Sequence, residues 1–168
     1  MDLVAFYRGE AADYQGRTLH DVWRWDDRRL EDRHDYIQVL FPLPEASRFN
    51  ARAPLLDGAT VARFRTDDVI QANLLQSFRV MLRFYGFRLD EKTGEVVEAE
   101  NFGERAKEWL SPGNHNHLRI TRILKCLTLC GLKDRAAAFL KALLALPGQD
   151  HITSDSRRFW RDAVGTST

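Results

Sequence analysis

One stretch constrains this chain more than any other: NHNHLRITRILKCLTLCGL, residues 114–132. Asn116, a good N-cap type, and Gly131, a good left-handed C-cap type, bracket about four turns of helix with no proline inside. At 100° per residue, Ile120, Ile123, Leu124 and Leu127 share one face, while Leu118 and Leu129 fall on nearly the opposite one. A helix apolar almost all round needs neighbours on several sides, so it is expected at the centre of a multi-helix fold. Arg119 and Arg122 lie between those faces, which predicts partly buried guanidinium groups in need of anionic partners.

The rest of the chain is long enough to surround such a helix. With 168 residues, a single domain buries about 70% of the surface its unfolded form exposes, and no disulfide or metal staple is required. Lys plus Arg is 25 against 24 Asp plus Glu, a formal net charge of +1, so no strong sequence-independent attraction to nucleic acid is expected. No run of about 18 apolar residues exists, which excludes a spanning helix, and the N-terminus MDLVAFYRGE does not read as a signal peptide. A cytoplasmic protein is expected. Cys126 and Cys130 stand one turn apart on the same helix, a spacing that does not favour a disulfide, and read as reduced packing residues.

The remaining pattern is mainly helical, a compact multi-helix domain with one small β-hairpin. Residues 2–9 are short enough to be a strand or a first helical turn. Thr18 with Asp21 starts a short helix. Asp26 caps a longer one running to Pro42, with Leu30, His34, Ile37 and Phe41 on one stripe, Tyr36 flanking it on the Leu40 side and Gln38 on the other. Residues 42–58 hold three prolines and form an ordered connection. Asp57 or Thr60 opens a helical piece through Phe64, and Thr66 or Asp67 caps a long helix to Tyr85, stopped by Gly86. Its apolar band is Ile70, Leu74, Ser77, Phe78, Met81, Leu82 and Tyr85, with Arg79 and Arg83 on the wet side. Phe87 and Leu89 pair with Val96 or Val97 across a Lys92–Gly94 turn, a hairpin that must lie on helices to be stable. Asn101 starts a helix with Phe102, Ala106 and Trp109 or Leu110 inward. Asp134 caps one carrying Ala136, Phe139, Leu140 and Leu143 until Pro147 and Gly148, and Ser154 opens a last one offering Phe159, Trp160 and Ala163 for packing. No repeat or linker interrupts residues 1–168, so one domain is expected.

The chemistry-bearing residues are few. There is no phosphate loop, dinucleotide fingerprint, nucleophile elbow or zinc-protease motif, and no cofactor is expected. His115 and His117 sit two to four helical turns from Cys126 and Cys130, too far to close one tetrahedral metal site, and read as capping and loop residues. His34, in mid-stripe, is either a satisfied core histidine or the lining of a pocket. Arg119 and Arg122 either form structural ion pairs with carboxylates such as Glu31, Asp35 or Glu104, or clamp an anionic ligand group. In the functional reading His34, Tyr36, Arg119 and Arg122 line one ligand site. The four tryptophans are scattered and read as core.

Several of these stretches resemble the conserved N-terminal domain of the opioid growth factor receptor family. The matching pieces are Phe6, Tyr7 and Arg8, then LEDRHDYIQVLFP at 30–42, MLRFYGFRL at 81–89 and NHLRITRILK at 116–125. The resemblance implies an all-helical, receptor-like domain whose vertebrate relatives are described as receptors for the pentapeptide Met-enkephalin, associated with the nucleus without spanning its membrane. It carries over no ligand residues. The family pattern usually has Trp where this chain has Val39, and the sequence ends at Thr168 without the repetitive tail of the vertebrate receptors, so nuclear association rests on resemblance alone.

Three functions follow. The leading one is a binding module for a peptide or small-molecule ligand. The second is an enzyme using His34 as acid or base with Arg119 or Arg122 as anion clamp. The third is a scaffold that recognises a protein partner through a flat apolar patch.

Overall fold

The order of elements in the computed structural model is helix-rich throughout. Residues 1–147 and 149–165 are described, and among them are ten α-helices and one two-stranded antiparallel sheet. They form two compact units, 1–80 and 81–168, whose boundary falls inside one long helix.

The first unit starts with helix α1 (Leu3–Tyr7), so residues 2–9 are helical, capped by Asp2 through the Ala5 amide. Tyr7 is its anchor. The ring meets Phe64 edge-on at 4.9 Å, the hydroxyl donates to the Leu40 carbonyl, and Asn73 Nδ2 donates to the Tyr7 carbonyl at 2.7 Å. Helix α2 (Leu19–Trp23) carries the expected Thr18/Asp21 capping box, and the Trp23 indole N–H donates to Ser77 Oγ at 3.0 Å, which satisfies a hydroxyl on an otherwise apolar stripe.

The helix expected from Asp26 to Pro42 is two helices. Helix α3 (Asp27–Asp32) stops at Arg33, whose backbone is extended, and α4 (Ile37–Leu40) begins four residues later. Three bonds hold the break open. Arg17 Nη1 binds Asp35 Oδ1 at 3.1 Å, Tyr14 donates to the Asp35 carbonyl at 3.2 Å, and the Tyr36 hydroxyl donates back to the Leu30 carbonyl at 3.1 Å. A continuous helix would have pressed His34 into apolar surroundings, a costly burial of an imidazole. The break turns Tyr36 inward and His34 out to solvent. His34, Asp35 and Tyr36 are all weak helix formers, so the local sequence resists little.

The proline-bearing connection is ordered by a parallel bridge between Leu43 and Leu55. Asp57 caps α5 (Gly58–Thr66) through the Thr60 amide at 2.7 Å. Asp67 caps α6 (Asp68–Tyr85), its Oδ1 accepting from the Val69 and Ile70 amides, while its other oxygen holds Arg8 at 2.7 Å and Arg63 at 2.9 Å.

In the second unit, strands β1 (Phe87–Leu89) and β2 (Val96–Glu98) pair with Leu89 opposite Val96, and Val96 is the buried valine of the two offered by the sequence. The hairpin rests on helix α9, as a hairpin this short requires. Arg135 Nη1 donates to the Gly94 carbonyl at 3.2 Å, and Phe87 meets Phe139 edge-on at 5.8 Å.

Helix α7 (Phe102–Trp109) points Trp109 inward, and its indole N–H donates to the Tyr85 carbonyl at 3.0 Å. Helix α8 (Asn116–Leu129) is the helix on which the sequence argument centred, and it packs on α9 (Lys133–Ala145) and α10 (Ser154–Gly165). Ile120, Ile123, Leu124 and Leu127 are fully enclosed, each adding about 1.5–3 kcal/mol by removal from water.

The expectation of a helix apolar all round needs correction. Leu118 is 57% exposed and Leu129 half-buried, so α8 has one dry side and one wet edge. Asn116 is the first helical residue and the cap position falls on His115, with Asn114 Oδ1 accepting the Asn116 amide at 3.0 Å from just before it. Gly131, at φ 92°, ends the helix as expected, and the Leu132 amide closes a six-residue turn onto the Leu127 carbonyl at 2.8 Å. Cys126 and Cys130 are enclosed free thiols with Sγ atoms 4.0 Å apart.

Helix α9 begins at Lys133, so Asp134 lies in its first turn and does not cap it. Its expected break at Pro147 and Gly148 falls in part on Gly148, outside the described residues. A 3-10 turn (Gln149–His151) precedes α10, where Trp160 and Ala163 are buried and Phe159, expected inside, is exposed. Among the described residues no helix is long and apolar enough to cross a membrane.

Candidate functional site

The four residues singled out by the sequence divide between the units. His34 and Tyr36 belong to the first, Arg119 and Arg122 to the second. His34 stands exposed in the break between α3 and α4. Tyr36 is fully buried behind it, its ring edge-on to Trp25 at 5.5 Å and its hydroxyl engaged with Leu30. Arg119 is buried, 6% exposed, with Nη1 donating to Asn116 Oδ1 at 3.3 Å, and Arg122 is half-buried one turn on. Asp35, one of the carboxylates offered as a partner for the α8 arginines, binds Arg17.

The core histidine of this chain is His117. It is 3% exposed at the start of α8. Its Nε2 lies 3.1 Å from the Trp109 carbonyl and its Nδ1 3.1 Å from Ser156 Oγ. A carbonyl only accepts, so Nε2 carries the proton and Nδ1 accepts from the serine hydroxyl. Ser156 in turn accepts from Thr153 Oγ1 at 2.9 Å, and the Trp160 indole donates to the His117 carbonyl at 3.0 Å. One imidazole thus fastens α7, α8 and α10 together. The arrangement brings a hydroxyl to a base, but the second nitrogen is spent on a backbone carbonyl and the ring is enclosed, which suits a fastening better than a nucleophile's base.

Burial pushes the His117 pKa below its ordinary value, against the smaller opposite pull of the Trp109 carbonyl. Below about pH 6.5 the unfolded chain takes up a proton that the folded one refuses. Stability is therefore expected to be level above that pH and to decline as pH falls through the lowered folded value. Urea titrations at intervals from pH 7.5 to 5 should show the decline in the wild type and a shallower one in His117→Gln.

A second feature lies on α2 and α3. Arg24, Trp25, Asp26, Arg28, Arg29, Asp32 and Arg33 line an open groove of about 470 Å³. Trp25 itself is buried, and the Arg29 guanidinium covers its ring at 4.4 Å from the centroid. Sequence reasoning passed over this cluster because RWDDRRLEDR reads as an ordinary balanced charge run. The cluster is assembled across the break between two short helices, with Arg24 ending α2 and Arg28 and Arg29 on α3, so no single helical periodicity announces it. Among the described residues no group of three or more His, Cys, Asp or Glu side chains is placed to hold a metal ion.

Taken together, these features define a helical module with a histidine fastening in its second unit and a groove lined by four arginines and two aspartates on its first. The chain belongs to the opioid growth factor receptor family: the model of that family's conserved region matches residues 4–158. It is 39% identical over 146 residues to the human opioid growth factor receptor, covering 84% of this chain and 21% of that protein. The rat receptor is 36% identical over the same length, with 25% of it covered, and the mouse opioid growth factor receptor-like protein 1 is 38% identical over 122 residues, covering 73% of this chain and 26% of that protein. The chain thus spans about a quarter or less of the curated relatives it matches. No solved structure matches it significantly.

Proposed function

We propose that this chain is a receptor-type binding module whose ligand is a short peptide. The observation that supports it is the family match, which runs through both units and links the chain to proteins named as receptors for an opioid growth factor. His34 is assigned to ligand contact, because it is exposed at a break braced from behind by Tyr36 and Asp35. Arg119 and Arg122 are kept as the anion-directed residues of the second unit. The two units are proposed to fold as one domain, a reading supported by the continuity of α6 through the boundary. A cytoplasmic location accords with the two unlinked cysteines.

Calorimetric titration with Met-enkephalin tests the ligand class. Saturable binding at one site is expected, and absence of heat up to millimolar peptide would defeat the proposal. His34→Ala is expected to weaken binding about five- to tenfold with an unchanged melting temperature. Equal affinity in the variant would remove His34 from the site.

A further inference from the structure

We propose that Cys126 and Cys130 form a binding site for one monovalent soft metal ion, copper(I), held in line between the two sulfurs. The site stands apart from the peptide-binding reading and does not rest on it.

The sulfurs are already placed. Cys126 and Cys130 are one turn apart at the end of α8, both fully enclosed and unlinked, with their Sγ atoms 4.0 Å apart in an S–H to S contact. Two metal–sulfur bonds of roughly 2.2 Å laid end to end span about 4.4 Å. An ion that takes the place of the shared proton therefore asks the sulfurs to part by only about 0.4 Å, and no separate cavity is needed.

The number of ligands selects the ion. The chain has two cysteines in all, and among the described residues no group of three or more His, Cys, Asp or Glu side chains is placed to hold a metal. Zinc in a structural site takes four ligands, and calcium and magnesium take oxygen. Copper(I) is selected by thiolates and is satisfied by two of them in a line.

Charge selects it as well. On binding, two S–H bonds break, two metal–sulfur bonds form and both protons leave, with no change of oxidation state. Two thiolates around a monovalent ion carry one negative charge, which is costly in an enclosed place unless a cation faces it. Arg122, half-buried, stands one turn before Cys126 on the same ridge of α8. Burial, with Cys130 adding to it, holds the Cys126 thiol well above its ordinary pKa, and the Arg122 guanidinium pulls the other way. A bound metal supplies what burial withholds, since a coordinating thiol is deprotonated outright.

Entry is also provided for. Cys130 occupies the cap position of α8 and Gly131 ends the helix, so only the last turn has to loosen. Once the turn closes, the enclosed surroundings keep water from the ion.

Anaerobic titration of the reduced full chain with copper(I) buffered by bicinchoninate tests the site. One copper(I) per chain is expected to leave the chelator, and C126A and C130A are each expected to bind at least about a hundredfold more weakly. Thiols of an unfolded chain also take copper, so the melting temperature is followed alongside, and binding to the native chain raises it. X-ray absorption at the copper edge of the wild type, which stays decisive if a variant fails to fold, is expected to show two sulfurs at roughly 2.2 Å. No transfer of copper, unchanged affinity in either alanine variant, a melting temperature lowered by copper, or nitrogen ligands in the absorption spectrum overturns the site. Zinc bound as tightly as copper(I) in the same titration overturns the two-coordinate assignment.

Discussion

Trp160→Ala is expected to lower folding stability by about 3–5 kcal/mol. The indole is fully enclosed on α10, lies edge-on to His117 at 5.4 Å and donates to the His117 carbonyl at 3.0 Å. Removing it opens a cavity, leaves that carbonyl with one donor fewer and unseats the imidazole that joins α7 to α10. Trp160→Phe keeps most of the volume and gives up the hydrogen bond, so its cost should be nearer 1–3 kcal/mol. Urea unfolding followed by circular dichroism measures both. A loss below about 1 kcal/mol for the alanine variant would mean that α10 is not held through this residue.

Tyr36→Ala is the counterpart in the first unit, with an expected loss of about 3 kcal/mol or more. Its ring fills the space against Trp25, and its hydroxyl closes the break between α3 and α4 on the Leu30 carbonyl. Tyr36→Phe isolates the hydroxyl and should cost about 1 kcal/mol. The comparison with His34→Ala is informative, since the neighbouring positions separate: one change should unsettle the fold, the other should spare it. If His34→Ala proved as destabilising as Tyr36→Ala, the exposure of His34 would have to be a local excursion and the contact assignment would fall.

The contrast between these two residues also shows what was legible in the sequence. Periodicity located almost every helix, the cap at Thr18, the pairs of candidates from which the structure takes Asp57 over Thr60 and Asp67 over Thr66, the hairpin turn and the end of α8 at Gly131, because these are decided by neighbours a few residues away. The break at 33–36 was not legible, because it is fixed by Arg17, Tyr14 and a hydroxyl reaching back from Tyr36. A helical wheel drawn through that break exchanged the roles of His34 and Tyr36. His117 was misplaced for a similar reason. Its partners, Trp109 and Ser156, lie 8 and 39 residues away, and no local pattern announces them. Leu118 and Phe159 look apolar on paper and stand in water, since hydrophobic character says what a side chain prefers and not whether a neighbour exists to cover it. The family resemblance, by contrast, was readable at once in long motifs.

The thiols of Cys126 and Cys130 offer a gauge of motion. Both are fully enclosed on the dry side of α8, and burial, with Cys130 adding to it, pushes the Cys126 thiol well above its ordinary pKa. Only a thiolate reacts readily with an alkylating reagent. In the native chain both sulfurs are out of a reagent's reach and should stay silent, and each one consumed counts an occasion on which α8 came loose. Alkylation rates then read the opening of this helix directly, and the slowing produced by a bound ligand would report its affinity without any label.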